Sequence, residues 1–327
     1  VIILYIYYIS IQRKMRLNFF QKLTRMFKKS NIYIKIITIL IILLLTTYIY
    51  QNYKPHKEGF SQREKYIVKY KPEEIYDDFY VSIYDELVFD VNKNEFELGE
   101  IQALTKMEPK ISSILDIGSG KGHHTAFLQN MGYNATGLDI SPAMVNSAKK
   151  KYPNGNYKVG DALKSMTFPH GSFTHILCLY FTIYYIDDKA TFFKNCYDWL
   201  KSGGYLALHL VNRNMFNPII NAGDPFVMVS PQKYAKKRIT NSNVKFMDFQ
   251  YKSNFDLKKN KDIAVFDETF KDDETGNVRQ NKHTFYMQTQ KQILSYAKNV
   301  GFILHGKIDL VATQYEYQYI YILQKPE

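Results

Sequence analysis

The stretch Ile114-Leu-Asp-Ile-Gly-Ser-Gly-Lys-Gly-His-His-Thr125 decides the fold of this 327-residue chain. Ser113 to Ile117 predicts a buried strand, because a short apolar run that ends in glycines is typical of parallel sheets. The glycines at positions 118, 120 and 122 allow a sharp turn and a close approach of the backbone to a ligand. The turn opens a helix, whose free backbone N–H groups favour an anionic group.

A second predicted strand ends on an acid, in the run Gly137-Leu-Asp-Ile-Ser141. Its Asp139 lies 19 residues beyond Gly120, a distance at which an acid in such βαβ units accepts hydrogen bonds from ribose hydroxyls. The glycine spacing argues against an NAD-dependent oxidoreductase, because the dinucleotide fingerprint has glycine or alanine at its sixth position, where this chain has His123. The sequence therefore predicts an α/β fold that binds a different nucleoside-type ligand.

These residues resemble the first motif of the class I S-adenosylmethionine-dependent methyltransferases, which Leu115 to Gly122 matches. Asp139-Ile140-Ser141 is similar to the ribose-binding acid of that family and the turn after it, and Gly160-Asp161-Ala162 is similar to its adenine-binding motif. The sequence resembles the type 11 and type 25 methyltransferase domains over roughly residues 75 to 327. The resemblance implies S-adenosyl-L-methionine as the cofactor and no metal. The cofactor-binding residues that it implies are Asp116, Gly118, Ser119, Gly120, Asp139, Ile140, Ser141, Asp161 and Ala162.

The resemblance also implies the architecture of residues 72 to 327. We expect a Rossmann-like methyltransferase fold, with a seven-stranded, mostly parallel sheet and helices on both faces. Pro72 predicts the start of a helix, and Phe173 to Tyr180 predicts a strand that is buried on both faces. Between about residues 212 and 289, short alternating runs predict antiparallel strands. The resemblance implies that this insertion, which precedes the last two strands, caps the substrate pocket.

Of the net charge of +12, +10 lies in residues 1 to 74 of the chain. Residues 1 to 74 carry 14 Lys and Arg against 4 acids, whereas residues 75 to 327 carry 29 against 27. A nucleic-acid partner is therefore not expected for the domain, since it lacks the basic excess of a phosphate-binding face. Only Cys178 and Cys196 occur, without metal-ligand spacing, so no metal site is predicted.

The N-terminal segments predict a membrane anchor. Residues 1 to 31 read as a basic tail, residues 32 to 53 as a transmembrane helix and residues 54 to 71 as a polar linker. A cleaved signal peptide is the alternative, but no small-residue cleavage site follows the apolar run. Basic residues flank both sides of this segment, so the positive-inside rule favours the N-terminal flank in the cytosol only weakly. The need for the cofactor favours a cytosolic domain instead, and the sequence leaves the topology open.

Candidates for base or substrate positioning follow the strands of the predicted sheet. Tyr184 and Tyr185 follow the strand that starts at Phe173, and His209 lies near the end of the next strand, so all three are predicted near the ligand. The family often has a histidine where Tyr184 or Tyr185 stands, a departure that weakens the assignment of a general base. Tyr80 lies on the first predicted helix, and the resemblance implies that a tyrosine there closes over the cofactor.

These inferences predict a membrane-anchored methyltransferase that acts on a small-molecule or lipid-like acceptor. The anchor, the basic linker and the segment Ser230-Pro-Gln-Lys-Tyr234 also resemble the anchored methyltransferases of large DNA viruses of protists. The alternative function is a methyltransferase-like scaffold that binds the cofactor at a membrane without turnover. Methyl transfer needs mainly alignment of the reacting groups and, for some acceptors, removal of a proton, so the sequence does not require a base.

Overall fold

The computed structural model describes residues 27–52, 64–219, 232 and 235–327. Residues 1–57 form one unit of the chain and residues 58–327 another. The helices are α1 Ile32–Asn52, α2 Pro72–Ile75, α3 Asp78–Leu87, α4 Val91–Thr105, α5 His123–Asn130, α6 Pro142–Lys151, α7 Thr182–Tyr185, α8 Lys189–Trp199 and α9 Gln290–Val300. The strands are β1 Tyr66–Lys69, β2 Ser113–Ile117, β3 Asn134–Asp139, β4 Asn156–Val159, β5 Phe173–Cys178, β6 Leu200–Val211, β7 Asn241–Lys245, β8 Phe249–Lys258, β9 Ile263–Asp272, β10 Val278–Tyr286, β11 Ile303–Asp309 and β12 Gln318–Gln324.

Seven strands form the central sheet, in the order β11-β12-β6-β5-β2-β3-β4. The five strands from β4 to β6 in this order pair in parallel, and β12 and β11 add an antiparallel edge. This arrangement confirms the predicted Rossmann-like sheet. Because the carboxyl ends of parallel strands meet at one edge of a sheet, the loops after β2, β3, β4 and β5 lie side by side there.

Alternate residues of the central strands pack into two different cores. In β5, Ile176 and Cys178 belong to one hydrophobic cluster, and Leu177 and the following Leu179 belong to another. All four side chains are at most 3% exposed. Successive side chains of a strand point to opposite faces, so this division shows that the sheet is covered on both sides.

The predicted insertion forms a second sheet, in the order β1-β10-β9-β8-β7. Its four later strands pair antiparallel, as the alternation of the sequence predicts. The fifth strand, β1, pairs in parallel with β10 and lies within the stretch that was predicted to be a linker. The linker prediction is therefore wrong at residues 66–69, because Tyr-Ile-Val-Lys has the β-branched and aromatic content of a strand and finds an edge far along the chain. Residues 54–63 of the linker, residues 1–26 of the basic tail, and residues 230, 231, 233 and 234 lie outside the described residues.

The helix α1 coincides with the predicted transmembrane segment, residues 32 to 53. In the part of the chain that the structure describes, however, none of the helices combines the length and the apolar content that crossing a membrane demands. The prediction of a transmembrane helix is thus not supported.

Candidate active site

The glycine-rich turn after β2 has the backbone conformation that its composition predicts. Gly118, Gly120 and Gly122 have φ angles of 73°, 53° and 77°, in the left-handed region that favours glycine. At Gly118 the space is also closed, since a Cβ there would stand 2.3 Å from Thr182 Oγ1. The turn therefore packs closely against Thr182 at the start of α7, at the carboxyl edge of the sheet.

Asp139, at the end of β3, is held by the backbone around it. Its Oδ2 accepts the Gly120 N–H at 2.8 Å and its Oδ1 accepts the Ser141 N–H at 2.8 Å. Burial raises the pKa of this carboxyl to about 6, although the two backbone N–H groups oppose the shift. Each oxygen retains a lone pair, so the carboxylate can accept hydrogen bonds from a pair of hydroxyl groups.

Two of the predicted cofactor residues do not line the cavity next to Asp139. Asp116 is 2% exposed and accepts a hydrogen bond from Thr125 Oγ1 at 3.0 Å, so its side chain is turned into the protein. Ser141 is fully buried, where it caps α6 and donates from Oγ to the carbonyl of Tyr76 at 2.6 Å. Both support the loops of the site, and the prediction that they contact the cofactor directly does not fit their orientation.

The loop after β4 forms the neighbouring wall of the cavity. Asp161 Oδ1 accepts the Leu163 N–H at 2.9 Å, and the Ala162 carbonyl accepts a hydrogen bond from Asn195 at 2.9 Å. Ile140 lies beside them, 44% exposed. This combination of an acid and an apolar side chain suits a heterocyclic base.

A cavity of about 520 Å³ joins these loops to the second sheet. Its volume falls in the range of small-molecule sites. Gly118, Ser119, Gly120, Asp139, Ile140, Asp161 and Ala162 line one part. Aromatic side chains line the opposite part, and the second sheet supplies Phe255, Phe266, Phe285 and Tyr286. These four residues lie within the insertion that is predicted at about residues 212 to 289.

A buried ion pair that the sequence analysis did not identify lies at one end of the cavity. Lys93 Nζ is 2.5 Å from Glu97 Oε1, and the two side chains are 1% and 0% exposed. Burial raises the pKa of Glu97, but the Lys93 ammonium and His124 outweigh it and hold that pKa down at about 2. The ammonium also lies 3.6 Å from the centre of the Tyr180 ring. Lys93 lines the cavity and offers it a fixed positive charge.

His209 lies in the same region, as its position near the end of β6 predicts. It is 1% exposed, lines the cavity, and its Nδ1 lies 2.5 Å from the carbonyl oxygen of Tyr180. Burial, together with Lys93, lowers its pKa to about 4, so the ring is neutral at pH 7 and Nδ1 carries the donated hydrogen. Its Nε2 is then an acceptor, and it has no hydrogen-bond partner among the described residues.

The predicted tyrosines separate in the structure. Tyr184 is fully buried and does not line the cavity, and its hydroxyl accepts the Val211 N–H at 2.8 Å. It is a packing residue, which corrects its prediction as a catalytic candidate. Tyr185, the next residue, lines the cavity. Tyr80 also lines it, but its hydroxyl donates to Glu268 at 3.2 Å, so it does not simply close over a cofactor.

A line of four hydrogen-bonded side chains, which we name the Tyr–His–Glu chain, leads from the cavity into the second sheet. Tyr76 Oη lies 2.9 Å from Tyr185 Oη, which lies 2.5 Å from His283 Nδ1. His283 Nε2 lies 2.7 Å from Glu268 Oε2. Tyr76, Tyr185 and His283 line the cavity, and Glu268 is fully buried behind them. A sequence signal existed for Glu268, since it falls in the buried phase of β9 with Ala264, Phe266 and Phe270.

The cavity fits S-adenosylmethionine. Asp139 offers a carboxylate for the ribose hydroxyls, and the loop at Asp161 offers a wall for the base. Ser119 Oγ and His209 Nε2 are buried polar atoms without a partner among the described residues, and both residues line the cavity. An amino-acid group carries an ammonium that can donate hydrogen bonds to such acceptors. The described residues hold no group of His, Cys, Asp and Glu that suits a metal ion.

Comparison with known proteins agrees with this geometry. Residues 115–208 match the methyltransferase domain family. The chain is 37% identical over 110 residues to a demethylmenaquinone methyltransferase of Chlorobaculum parvum, a match that covers 33% of this chain and 44% of that protein. It is 30% identical over 142 residues to a phosphoethanolamine N-methyltransferase of Plasmodium falciparum, covering 41% of this chain and 52% of that protein. The chain thus spans about half the length of these curated relatives.

The fold extends the likeness beyond the matched segment. An S-adenosylmethionine-dependent methyltransferase from Clostridium acetobutylicum superposes with a TM-score of 0.58 at 18% identity, covering 76% of this chain and 98% of that one. At this identity the likeness establishes the fold alone. The sequence match and the shared fold together confirm the resemblance to the class I methyltransferases.

Proposed function

We propose that this chain, which carries a class I S-adenosylmethionine-dependent methyltransferase domain, transfers a methyl group to a small-molecule acceptor in the cavity between its two sheets. One observation carries the proposal. The glycine-rich turn and Asp139 form one wall of the cavity. Tyr76, Tyr185 and the aromatic residues of the second sheet form the opposite wall of the same cavity. A cofactor on the first wall therefore faces an acceptor on the second.

The character of the second wall supports a small acceptor. Phe255, Phe266 and Phe285 present apolar rings, and the polar groups among them are few and fixed by hydrogen bonds. Such a wall suits a compact molecule that is bound largely by desolvation, with a few groups that orient it. The nearly balanced charge of residues 75 to 327 supports a small molecule over a nucleic acid.

Binding of S-adenosylhomocysteine, the demethylated product of the cofactor, tests the proposal by calorimetric titration of the full chain. Asp139→Asn keeps the size of the side chain but removes the charge, so the affinity should fall about 10- to 100-fold, as expected for a hydrogen bond to a charged group. Asp198→Asn is the matched control, because Asp198 is an exposed acid that pairs with His170 away from the cavity. A folded wild-type chain that does not bind the product would refute the proposal.

A further inference from the structure

The Tyr–His–Glu chain joins the cavity to a carboxylate that has no Lys or Arg partner among the described residues. Glu268 accepts hydrogen bonds from Tyr80, Tyr251 and Asn281 as well as from His283, at 3.2, 3.0, 3.4 and 2.7 Å. Within the described part of the chain, the ion pair of Glu268 is with His283 alone. Four donors around two oxygens are the environment of an ionised carboxylate, which accepts and does not donate.

We propose that the Tyr–His–Glu chain is the proton acceptor of the methyl transfer, and that the acceptor molecule is methylated on a hydroxyl or an amine that must lose a proton. This inference rests on the proposed function. It assigns a catalytic role to Tyr185 and His283, which line the cavity. It assigns a positioning role to Glu268, which reaches the reaction only through His283.

The direction of the hydrogen bonds follows from the carboxylate. Because Glu268 accepts, Nε2 of His283 carries the hydrogen of that contact. Nδ1 of the neutral ring is then an acceptor, and the hydroxyl of Tyr185 donates to it across 2.5 Å. Tyr185 Oη still has a lone pair that can accept a hydrogen bond. The hydrogen comes either from Tyr76 or from the hydroxyl or amine that is to be methylated. Every bond in the chain thus points its hydrogen toward Glu268.

The tyrosines transfer a proton toward His283 and stay neutral themselves. Burial raises the pKa of Tyr185 and of Tyr76 well above the ordinary value of a phenol, and the Glu268 carboxylate adds to both shifts. The titratable groups that face His283 are Glu268 from β9, Tyr185 from α7, Tyr80 from α3 and Tyr76, which follows α2. Glu268 is the only carboxyl group among them, and it can accept the Nε2 hydrogen of His283.

The proton and the electrons balance. S-adenosylmethionine supplies a methyl group: the lone pair of the acceptor's oxygen or nitrogen forms the new bond to carbon, the carbon–sulfur bond breaks, and its electron pair stays on sulfur. The acceptor's proton passes to Tyr185 Oη while the Tyr185 proton passes to His283 Nδ1. The resulting imidazolium is stabilised by Glu268, 2.7 Å away, as in other carboxylate–histidine pairs. The imidazolium then returns its proton to solvent when the product leaves.

Packing alone does not account for these residues. Glu268 and His283 occupy inward positions of β9 and β10, whose inward neighbours include Phe266, Phe270 and Phe285. Aromatic or aliphatic side chains at both positions would fill the same space without burying a charge, and such replacements are often stabilising. A buried acid–histidine pair beside a ligand cavity is the pattern of a functional site.

The hydrogen positions test the proposal without any acceptor molecule. We would record nitrogen NMR spectra of the full chain, labelled with ¹⁵N-histidine and saturated with S-adenosylhomocysteine, and assign His283 with His283→Asn. The proposal expects the hydrogen on Nε2 near neutral pH and an Nδ1 signal that moves in Tyr185→Phe. Glu268→Gln should move the Nε2 signal of the ring, because the variant removes the carboxylate that accepts the Nε2 hydrogen. A hydrogen on Nδ1, or an Nδ1 signal unchanged in Tyr185→Phe, would overturn it.

Turnover provides the second measurement, with methyl-labelled S-adenosylmethionine and a panel of small phenols, alcohols and amines. For any molecule that is methylated, His283→Asn should lower kcat by about 10²- to 10⁴-fold, while the affinity for S-adenosylhomocysteine stays within twofold. Tyr133→Phe is the matched control for the Tyr185→Phe variant, since Tyr133 is a buried tyrosine that donates to the Met107 carbonyl outside the cavity. Unchanged kcat in His283→Asn would overturn the inference, whereas a wild-type chain that binds no S-adenosylhomocysteine would overturn the proposed function itself.

Discussion

Gly118 and Thr182 meet across the ends of two neighbouring strands, β2 and β5, so closely that a Cβ on Gly118 would lie 2.3 Å from Thr182 Oγ1. The contact joins the glycine-rich turn, on the cofactor side, to α7, the helix that carries Tyr185. A side chain at position 118 would push these two walls of the cavity apart. The relationship explains why this glycine is required by its neighbour as well as by its φ angle of 73°.

We predict that Gly118→Ala destabilises the chain more than Gly171→Ala does. Gly171 has a similar φ of 62° but no atom within 4 Å of its virtual Cβ, so it reports the backbone strain alone, about 1–2 kcal/mol. Gly118→Ala adds overpacking of about 1–3 kcal/mol. Urea unfolding of both variants measures the difference. Equal midpoints would contradict the contact, and Thr182→Ala in the Gly118→Ala background should recover part of the loss.

We predict that the affinity for S-adenosylhomocysteine depends on pH through Asp139. Burial raises the pKa of this carboxyl to about 6, and its ionised form is the better acceptor for ribose hydroxyls. The affinity should therefore be constant above pH 7 and fall about tenfold per pH unit below 6, as the carboxylate is protonated. Calorimetric titrations from pH 5 to 8 measure the slope. Asp139→Asn should bind weakly with no such slope, and the same slope in that variant would assign the titration to another group.

We predict that Lys93→Met destabilises the chain by about 3–5 kcal/mol, because it leaves the buried Glu97 carboxylate without its cation. The double variant Lys93→Met/Glu97→Gln should recover most of that loss. Lys189→Met is the matched control, since Lys189 is equally buried but donates to the carbonyls of Ile186 and Tyr286. Urea unfolding measures all three, and similar losses in the two lysine variants would argue against the charge as the cause.

The same pair predicts a loss of stability in acid. Burial opposes ionisation of Glu97, but Lys93 and His124 together outweigh it and lower the pKa from its ordinary 4.5 to about 2. A depressed carboxyl pKa stabilises the folded state above the unfolded-state value and loses that contribution as the pH falls from about 4.5 toward 2. The wild-type chain should therefore lose more stability over this interval than the double variant does. Parallel curves would show that Glu97 does not titrate in this way.

We predict that Arg279→Lys loosens the segment that carries Tyr76 and Tyr80. Arg279 lies in β10, its Nη1 is 2.8 Å from both carboxylate oxygens of Asp77, and its Nη2 donates to the Ile75 carbonyl. A lysine cannot reproduce this planar fork, so at least one buried acceptor is left unpaired, a loss of about 1–3 kcal/mol. Thermal unfolding measures the effect. Full stability in Arg279→Lys would show that the fork is not needed.

The sequence by itself determined the cofactor side of the site. Gly118 to Gly122 and Asp139 belong to one βαβ unit, so their spacing along the chain decides their positions, and Asp161 follows the next strand at the same edge of the sheet. The parallel central strands and the antiparallel insertion were predictable from hydrophobic patterns. Short apolar runs indicate strands buried on both faces, and alternating runs indicate strands buried on one face.

Only the tertiary structure decided which polar groups face the acceptor. Tyr185 meets His283 from 98 residues away, and Glu268 meets Tyr80 from 188 residues away, so no spacing along the chain predicts either contact. The same holds for β1, whose partner β10 lies in the insertion. Adjacent residues also diverge: Tyr184 turns into the core and Tyr185 into the cavity. Local patterns fix the conformation of the backbone, whereas the direction and the partners of a buried polar side chain depend on which distant segments pack against it.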